Sequence, residues 1–322
     1  MFLKRIEKSY LKSLKDYHIK EKSYHWKKRY DYTKKLYRIK NLKNFRNNNL
    51  SNNLDDKHEL NKQKLNFEKF KLEVPPSFFQ KFISKKNIGN NKYFFDYKGF
   101  KIDSNEIFII KWLYDLKDFI FLKRNKIFCE IGAGYGALAR MIQLKTNCKY
   151  IIIDLPEALF LSAYFLKKNF NSKKICLYSD LKSQNIDRKI LNKYDILVLP
   201  PWVKFDNDIN FDFVINTRSF SEMNYFTINK YFDLINKNLK KDGYFLNINR
   251  YEKSTVGHSI KFFKFPYGPK WEKLISKRSW SQNNIHFLLT KKINSFSFDI
   301  FFVKLQTYFE YLKIFWKKKI IK

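Results

Sequence analysis

Lys126-Ile127-Phe128-Cys129-Glu130-Ile131-Gly132-Ala133-Gly134-Tyr135-Gly136-Ala137-Leu138-Ala139-Arg140 decides how the chain is read. An apolar run leads into three glycines at alternate positions, and an alanine- and leucine-rich run follows. The whole chain has only eight glycines in 322 residues, so their clustering here carries information. Glycine serves where backbone must take φ > 0 or come close to a ligand. A strand, a glycine turn and a helix in succession aim backbone N–H groups and a positive helix end at that ligand. The stretch predicts a nucleotide-type cofactor site.

Outward from it, residues 149–154 read as a second strand that ends in the carboxylate of Asp154. Leu155-Pro156-Glu157 opens a helix to about residue 169, with proline in the first turn, where its missing N–H costs little. Residues 175–178 read as a third strand, closed by Ser179-Asp180-Leu181. Residues 211–216 and 243–249 read as further strands around a helix over about 222–239, and 286–290 as a last strand at the sheet edge. Strands alternating with helices predict an α/β fold, a Rossmann-like, doubly wound and mostly parallel sheet. Ligands of such sheets sit beyond the carboxyl ends of the strands.

The flanks differ in character. Residues 1–50 carry 16 Lys and Arg against four Asp and Glu. Leu3, Ile6, Tyr10, Leu14 and Tyr17 recur there at helical spacing. The Asn-rich stretch 44–64, with Asn47-Asn48-Asn49 and Asn52-Asn53, reads as a loop or linker. Pro75-Pro76 marks a boundary. Residues 93–97 read as a strand turning at Lys98-Gly99. Asp103-Ser104-Asn105-Glu106 reads as the cap of a helix over about 105–122, with Ile109, Trp112, Leu113, Leu116 and Ile120 on one side. At the other end Phe301, Leu305, Tyr308, Leu312 and Phe315 form a stripe flanked by Lys304, Lys313 and Lys317-Lys318-Lys319. That helix suits either a membrane interface or packing on the core. The chain thus divides into a basic, largely helical extension (1–75), a central domain (76–292) and a basic, aromatic C-terminal helix (293–322).

A net charge of +35 is extreme. It suits a polyanionic partner such as nucleic acid, an anionic membrane or an acidic glycan. Compositional drift is the plainer source, because Lys, Asn, Ile, Phe and Tyr are abundant together. Contact with an anionic membrane through 1–50 or 293–322 stays open. Cys129, Cys148 and Cys176 lack CxxC spacing, which speaks against a disulfide scaffold or zinc site. No His, Asp and Glu cluster has metal-ligand spacing. No secretory signal and no run of about 18 apolar residues is present. The expected location is the cytoplasm, including the inner face of the membrane.

Gly132-x-Gly134-x-x-Ala137, with Asp154 some twenty residues on, also satisfies the dinucleotide pattern. Glu130 turns the reading. An acidic group at the end of the first strand would repel a pyrophosphate, and it suits a cofactor bearing an ammonium and a sulfonium. Glu130-x-Gly132-x-Gly134-x-Gly136 resembles the first motif of the class I S-adenosylmethionine-dependent methyltransferases. With Ile153-Asp154-Leu155-Pro156-Glu157, Asn216-Thr217-Arg218-Ser219-Phe220-Ser221-Glu222-Met223 and the run 243–250, residues 90–292 resemble the bacterial sugar O-methyltransferase family.

The resemblance implies S-adenosylmethionine as cofactor. It implies that Glu130 helps hold the methionine amino group, that Gly132, Gly134 and Gly136 let the backbone pass close, and that Asp154 accepts from the ribose hydroxyls. Leu155 would lie against adenine, Asp180 would accept from the adenine amino group, and Asn216 would face the methionine end. The implied reaction is methyl transfer to a hydroxyl of a sugar or glycan, free, nucleotide-linked or lipid-linked. A sugar hydroxyl is a weak nucleophile at neutral pH, so a general base helps. Glu222, six residues past Asn216, and His258, in a loop with Ser254, Thr255 and Gly257, are the candidates. Arg218, Arg250 and Tyr251 are candidates for gripping the acceptor.

Two rivals stand beside this. Leu199-Pro200-Pro201-Trp202 looks like the Pro-Pro-aromatic motif of nucleic-acid base methyltransferases, but Leu199 fills the place that needs Asn or Asp. The next strand also starts too soon for a helical crossover, so 195–199 reads as an inserted strand or loop. The other rival is a non-catalytic glycan- or membrane-binding protein on the same fold.

Overall fold

A computed structural model gives the fold and describes residues 1–17, 26–27, 37–47, 57–84, 86–103, 106–120, 126–254 and 257–320. Eight strands form the main sheet: β1 (Ile127–Ile131), β2 (Lys149–Ile153), β3 (Ile175–Leu177), β4 (Ile196–Leu199), β5 (Phe211–Thr217), β6 (Leu239–Arg250), β7 (Trp271–Ser279) and β8 (Gln282–Lys292). Their order across the sheet is β3-β4-β2-β1-β5-β6-β8-β7. The β3, β4, β2, β1, β5 and β6 neighbours pair in parallel, and β8 runs antiparallel to both β6 and β7. This is the Rossmann-like, doubly wound, mostly parallel α/β sheet that the alternating pattern predicts.

Period-two alternation sorts the strand side chains into two cores. Phe128, Tyr150, Phe213, Ile215 and Leu246 face one layer. Cys129, Ile131, Ile151, Val214 and Phe245 face the other. The first layer holds α3 (Glu106–Asp115), α4 (Ala137–Lys145) and α5 (Pro156–Asn169), and it also takes in α1 (Phe2–Lys15) and α2 (Lys57–Glu73). The second holds α6 (Arg188–Lys193), α7 (Tyr225–Asn238) and the start of α8 (Asp299–Ile320). Parallel strands covered on both faces read as near-continuous apolar runs, as β1, β2 and β4 do.

The chain leaves β1 for β2 on one side and comes back to β5 on the other. That reversal opens a crevice at the carboxyl ends of β1 and β5, the switch point at which open α/β sheets bind ligands. β4 is wedged between β2 and β3, as an inserted strand rather than the neighbour of β1. Residues 200–210 then return to β5 without a helix, burying Val203, Phe205 and Ile209.

Several boundaries differ from the sequence reading. Residues 57–64, read as loop, belong to α2, whose Phe67 and Phe70 are buried; residues 48–56 lie outside the described residues. The stretch read as one helix over 105–122 breaks at Leu116 into α3 and a short turn, Lys117–Ile120. Its cap residues Ser104 and Asn105, and residues 121–122, lie outside the described residues. The helix placed at 222–239 starts at Tyr225, because Phe220–Glu222 is a 3-10 turn and Asn224 Oδ1 caps Thr227 N–H at 2.8 Å. β8 is internal; the edge is β7, whose charged, poorly alternating sequence suits an exposed edge. Among the described residues no helix is long and apolar enough to cross a membrane.

The basic N-terminal arm is packed onto the domain. Ile6, Tyr10, Leu42, Phe45, Phe67, Phe70 and Val74 share the core of the first layer. Arg46 pairs with Asp103, both nearly sealed from solvent. Arg140, in α4, pairs with Glu106 at 2.9 Å and donates to Phe82 O at 2.8 Å. Tyr135 lies under the Arg46 guanidinium at 5.1 Å and edge-on to Phe165. Tyr135 and Arg140 thus serve packing behind the glycine turn.

Candidate active site

The three glycines after β1 take positive φ values of 76°, 58° and 88°, conformations that side chains rarely adopt. They do different work. Gly134 opens onto free space, and its N–H donates to Asp154 Oδ2 at 2.8 Å. Gly136 caps α4, and a Cβ there would touch Leu166 and Ser162 of α5, so it sets helix packing. Gly132 N–H donates to Ile153 O at 2.8 Å, tying the turn to the end of β2.

Asp154 stands where β2 ends. Its Oδ1 accepts Leu155 N–H at 2.7 Å while Oδ2 holds Gly134. Burial pushes its carboxyl up to about 7, the two N–H bonds pulling the other way. Glu130 is sealed within β1 at 1% exposure and accepts Tyr150 O–H at 2.8 Å. Burial raises its carboxyl to about 8, against the pull of the Tyr150 bond. Asp154 lines the cavity beside the glycine turn, where a cation would relieve its desolvation, whereas Glu130 lies behind it and does not line the cavity.

Asn216, at 0% exposure, is the hub of the floor rather than a wall of the crevice. Its Nδ2 donates to Ile131 O at 2.9 Å and Ser219 Oγ at 2.6 Å; its Oδ1 accepts Phe220 N–H at 3.1 Å and Asn249 Nδ2 at 2.7 Å. Asn249 Oδ1 in turn accepts Ser221 N–H at 3.1 Å. These bonds fasten the β5 loop to the glycine turn. Arg218, two residues on, is held at φ 63° by Arg218 N–H donating to Ile248 O at 2.6 Å. Strain of this kind persists where the surroundings enforce it, and it gathers at functional sites.

A cavity of about 930 Å³ opens over this floor. Its lining includes Gly132, Gly134, Asp154 and Leu155 from the glycine turn and the end of β2, Trp26 and Trp202, and Arg218, Glu222, Phe226 and Arg250. Gly132, Gly134, Asp154 and Leu155, the cofactor candidates of the glycine turn and the second strand, thus border one cavity. Glu222 also reaches the cavity, where it is ion-paired with Lys253.

Among the candidates, Glu130, Gly136, Asn216 and Tyr251 do not line the cavity, and His258 and Asp180 are placed elsewhere. His258 is exposed, 6.3 Å from the Tyr225 ring, and does not line the cavity; Thr255 of its loop lies outside the described residues. Asp180 is displaced by the inserted β4. Its Oδ2 is taken by Arg5 at 2.6 Å and by Leu177 N–H at 2.8 Å, and it does not line the cavity. Trp202 lines the cavity that Asp180 does not reach; its Nε1 donates to Tyr178 Oη at 3.0 Å and its ring meets Tyr17 at 5.5 Å. The Pro-Pro turn flags Trp202 in the sequence, whereas nothing in the local sequence marks Trp26. Leu199 is at 0% exposure, so the position before Pro200-Pro201 offers the cavity no amide or carboxylate; farther along the same return to β5, Asp206 and Asn207 line it. Among the described residues no group of three metal-ligating side chains comes together.

No protein-family model matches the chain, and no curated protein matches it. Among solved structures it is similar to a candidate sarcosine dimethylglycine methyltransferase from Galdieria sulphuraria, at 12% identity over 57% of this chain and 84% of that one (TM-score 0.40). It is similar also to an O-methyltransferase family 2 protein from Planctomyces limnophilus in complex with apigenin, at 13% identity over 53% and 52% (TM-score 0.35). A tRNA m1G37 methyltransferase from M. jannaschii gives 18% identity over 57% and 49% (TM-score 0.35). What fixes the fold here is the order and direction of the eight strands.

Proposed function

We propose that the protein is an S-adenosylmethionine-dependent methyltransferase acting on a hydroxyl of a sugar or glycan. The observation that carries the cofactor assignment is the pairing of the glycine turn with the Asp154 carboxyl at the switch point, where Gly132, Gly134 and Asp154 all line the cavity. A pyrophosphate there would meet the Asp154 carboxylate; a ligand carrying an ammonium and a sulfonium would be attracted by it. Asp154 keeps lone pairs beyond the two it gives to Gly134 and Leu155, and a carboxylate can accept about four bonds. Its free acceptor sites suit a pair of ribose hydroxyls. Leu155 and the Trp202 ring offer apolar faces to the base, in the place that Asp180 does not reach.

The cofactor supplies, when bound, a methyl group already activated by positive sulfur. The chain's part is to position the acceptor and take its proton. Arg218 and Arg250 sit at the carboxyl ends of β5 and β6, where they can orient a hydroxylated or acidic acceptor. Trp202 and Phe226 add flat apolar surface, the usual mixture in a small-molecule site. Glu222 is the carboxylate on the cavity wall, held in place by Lys253, and takes the proton of the acceptor hydroxyl. The sugar acceptor is supported by the resemblance of residues 90–292.

Titration calorimetry with S-adenosylmethionine and with NAD tests the cofactor. Binding of the first in the micromolar range, with none of the second, is expected; the reverse overturns the assignment. Transfer of labelled methyl from S-adenosylmethionine to nucleotide-linked, lipid-linked and polymeric glycans, with RNA alongside, tests the acceptor. Label entering RNA alone overturns the sugar reading.

A further inference from the structure

α8 has three faces. At about 100° per residue, Ile300, Val303, Thr307 and Tyr311 form one stripe, and all are buried against β7 and the 3-10 turn Phe262–Lys264. The second face is apolar and open: Phe301 is 61% exposed, Phe302 56%, Leu305 41%, Tyr308 40%, Phe309 52% and Trp316 57%. Phe296 and Phe298, just before the helix, extend the patch and are 65% and 64% exposed. These helix residues span an arc of about 120° on the 3.6-residue repeat. The third face carries Gln306, Glu310, Lys313 and Lys317, and the chain continues as Lys318-Lys319.

Scattered exposed apolar residues need no explanation, but a contiguous patch of this size marks a contact surface. The helix already has its intramolecular partner on the buried stripe, so the open arc is not a core face in search of a core. A second copy is disfavoured as the occupant, because each chain carries a net charge of +35 and two such chains repel. An anionic surface is attracted by the same charge. An aromatic and leucine face bordered by lysines is the pattern of a helix lying in the plane of a membrane interface.

We infer that α8 docks the protein onto an anionic membrane surface, with Phe301, Phe302, Leu305, Tyr308, Phe309 and Trp316 entering the headgroup region. The lysines flanking the helix supply the attraction to acidic lipid, and the aromatic face supplies the insertion. This inference stands on α8 alone and holds whether or not the cavity transfers methyl groups.

The test is co-sedimentation of the full chain with vesicles of phosphatidylcholine alone and of phosphatidylcholine with about 30% phosphatidylserine. Binding to the anionic vesicles is expected, about tenfold or more above the neutral ones. Phe301→Ser/Phe309→Ser changes only exposed side chains and should keep the thermal midpoint, yet lower anionic-vesicle binding about tenfold, as lost apolar insertion requires. Wild-type-like binding by that variant would assign the attraction to charge elsewhere and overturn the proposal. So would failure of the wild type to bind anionic vesicles, including the case in which sedimentation velocity shows a dimer that the double variant abolishes.

Discussion

A Cβ placed on Gly132 would stand 2.0 Å from Ser219 Oγ. The two residues sit on the loops that follow β1 and β5, the strands flanking the switch point. Ser219 cannot back away freely, because its Oγ donates to Ile131 O at 3.2 Å and accepts from the buried Asn216. Gly132→Ala therefore adds a clash to a φ of 76°. We expect it to cost roughly 2–4 kcal/mol by denaturant unfolding and to weaken S-adenosylmethionine binding at least tenfold. Adding Ser219→Gly should recover about half of the loss, a coupling that a double-mutant cycle reads directly. An alanine variant as stable and as tight-binding as wild type would mean the two loops are not in contact.

Burial of Glu130 makes the protein's stability sensitive to pH. Its carboxyl is raised from 4.5 to about 8, so the folded state holds a proton that the unfolded chain has already released. The sign follows: the folded state has its full stability below pH 4.5, loses it as pH rises, and has lost it above about 8. Relative to Glu130→Gln, wild-type stability should fall by about 1.4 kcal/mol per pH unit across that window. Cofactor affinity should move the opposite way, tightening as Glu130 and Asp154 ionise, and Glu130→Gln should flatten that rise. Parallel pH curves for wild type and variant, in both unfolding and calorimetry, would remove the charge on Glu130 from the account.

The strand–turn–helix over β1 and α4, the strand ending at Asp154 and the doubly wound architecture were legible because each is a local pattern. Positive φ needs glycine, both-face burial needs continuous apolar residues, and a proline just inside a helix is self-announcing. The inserted character of 195–199 was legible as well, from the short return to β5. What did not follow was where insertion pushes its neighbours. Asp180 closes a strand as Asp154 does, but β4 moves that strand one place outward, and strand order is a non-local property. His258 likewise has the chemistry of a base, and nothing local says that its loop faces solvent. Trp26 reaches the cavity only because the N-terminal arm folds back, which the composition of the arm did not disclose.

The displacement of Asp180 has a measurable consequence. Asp180→Asn should leave S-adenosylmethionine affinity within about twofold. It should cost less than about 1 kcal/mol of stability, as expected for a solvent-screened pair with the partly exposed Arg5. Trp202→Ala should weaken cofactor binding roughly tenfold, since it removes the large flat wall beside Asp154, and Trp202→Phe should keep most of the affinity. If Asp180→Asn were the more damaging of the two, the adenine end of the site would lie nearer β3 than the cavity indicates.

The ion pair between Glu222 and Lys253 separates the two candidate bases. Glu222 lines the cavity and Lys253 comes from the two-residue strand Glu252–Lys253, which pairs with Ile260–Lys261. The lysine therefore ties the 3-10 turn Phe220–Glu222 to a separate hairpin and fixes where the carboxylate points. Replacing Glu222 with Gln keeps the shape and removes proton acceptance, so kcat should fall by about 10²- to 10⁴-fold while the cofactor Kd stays within about twofold. Lys253→Ala leaves the carboxylate present but unanchored, and should lower kcat by only about tenfold through lost positioning. His258→Ala, on an exposed loop, should leave both constants near wild type. Methyl-transfer assays with calorimetry on the three variants check the order. A collapse of turnover in His258→Ala with Glu222→Gln unaffected would move the base to the loop after β6 and require that loop to close over the cavity.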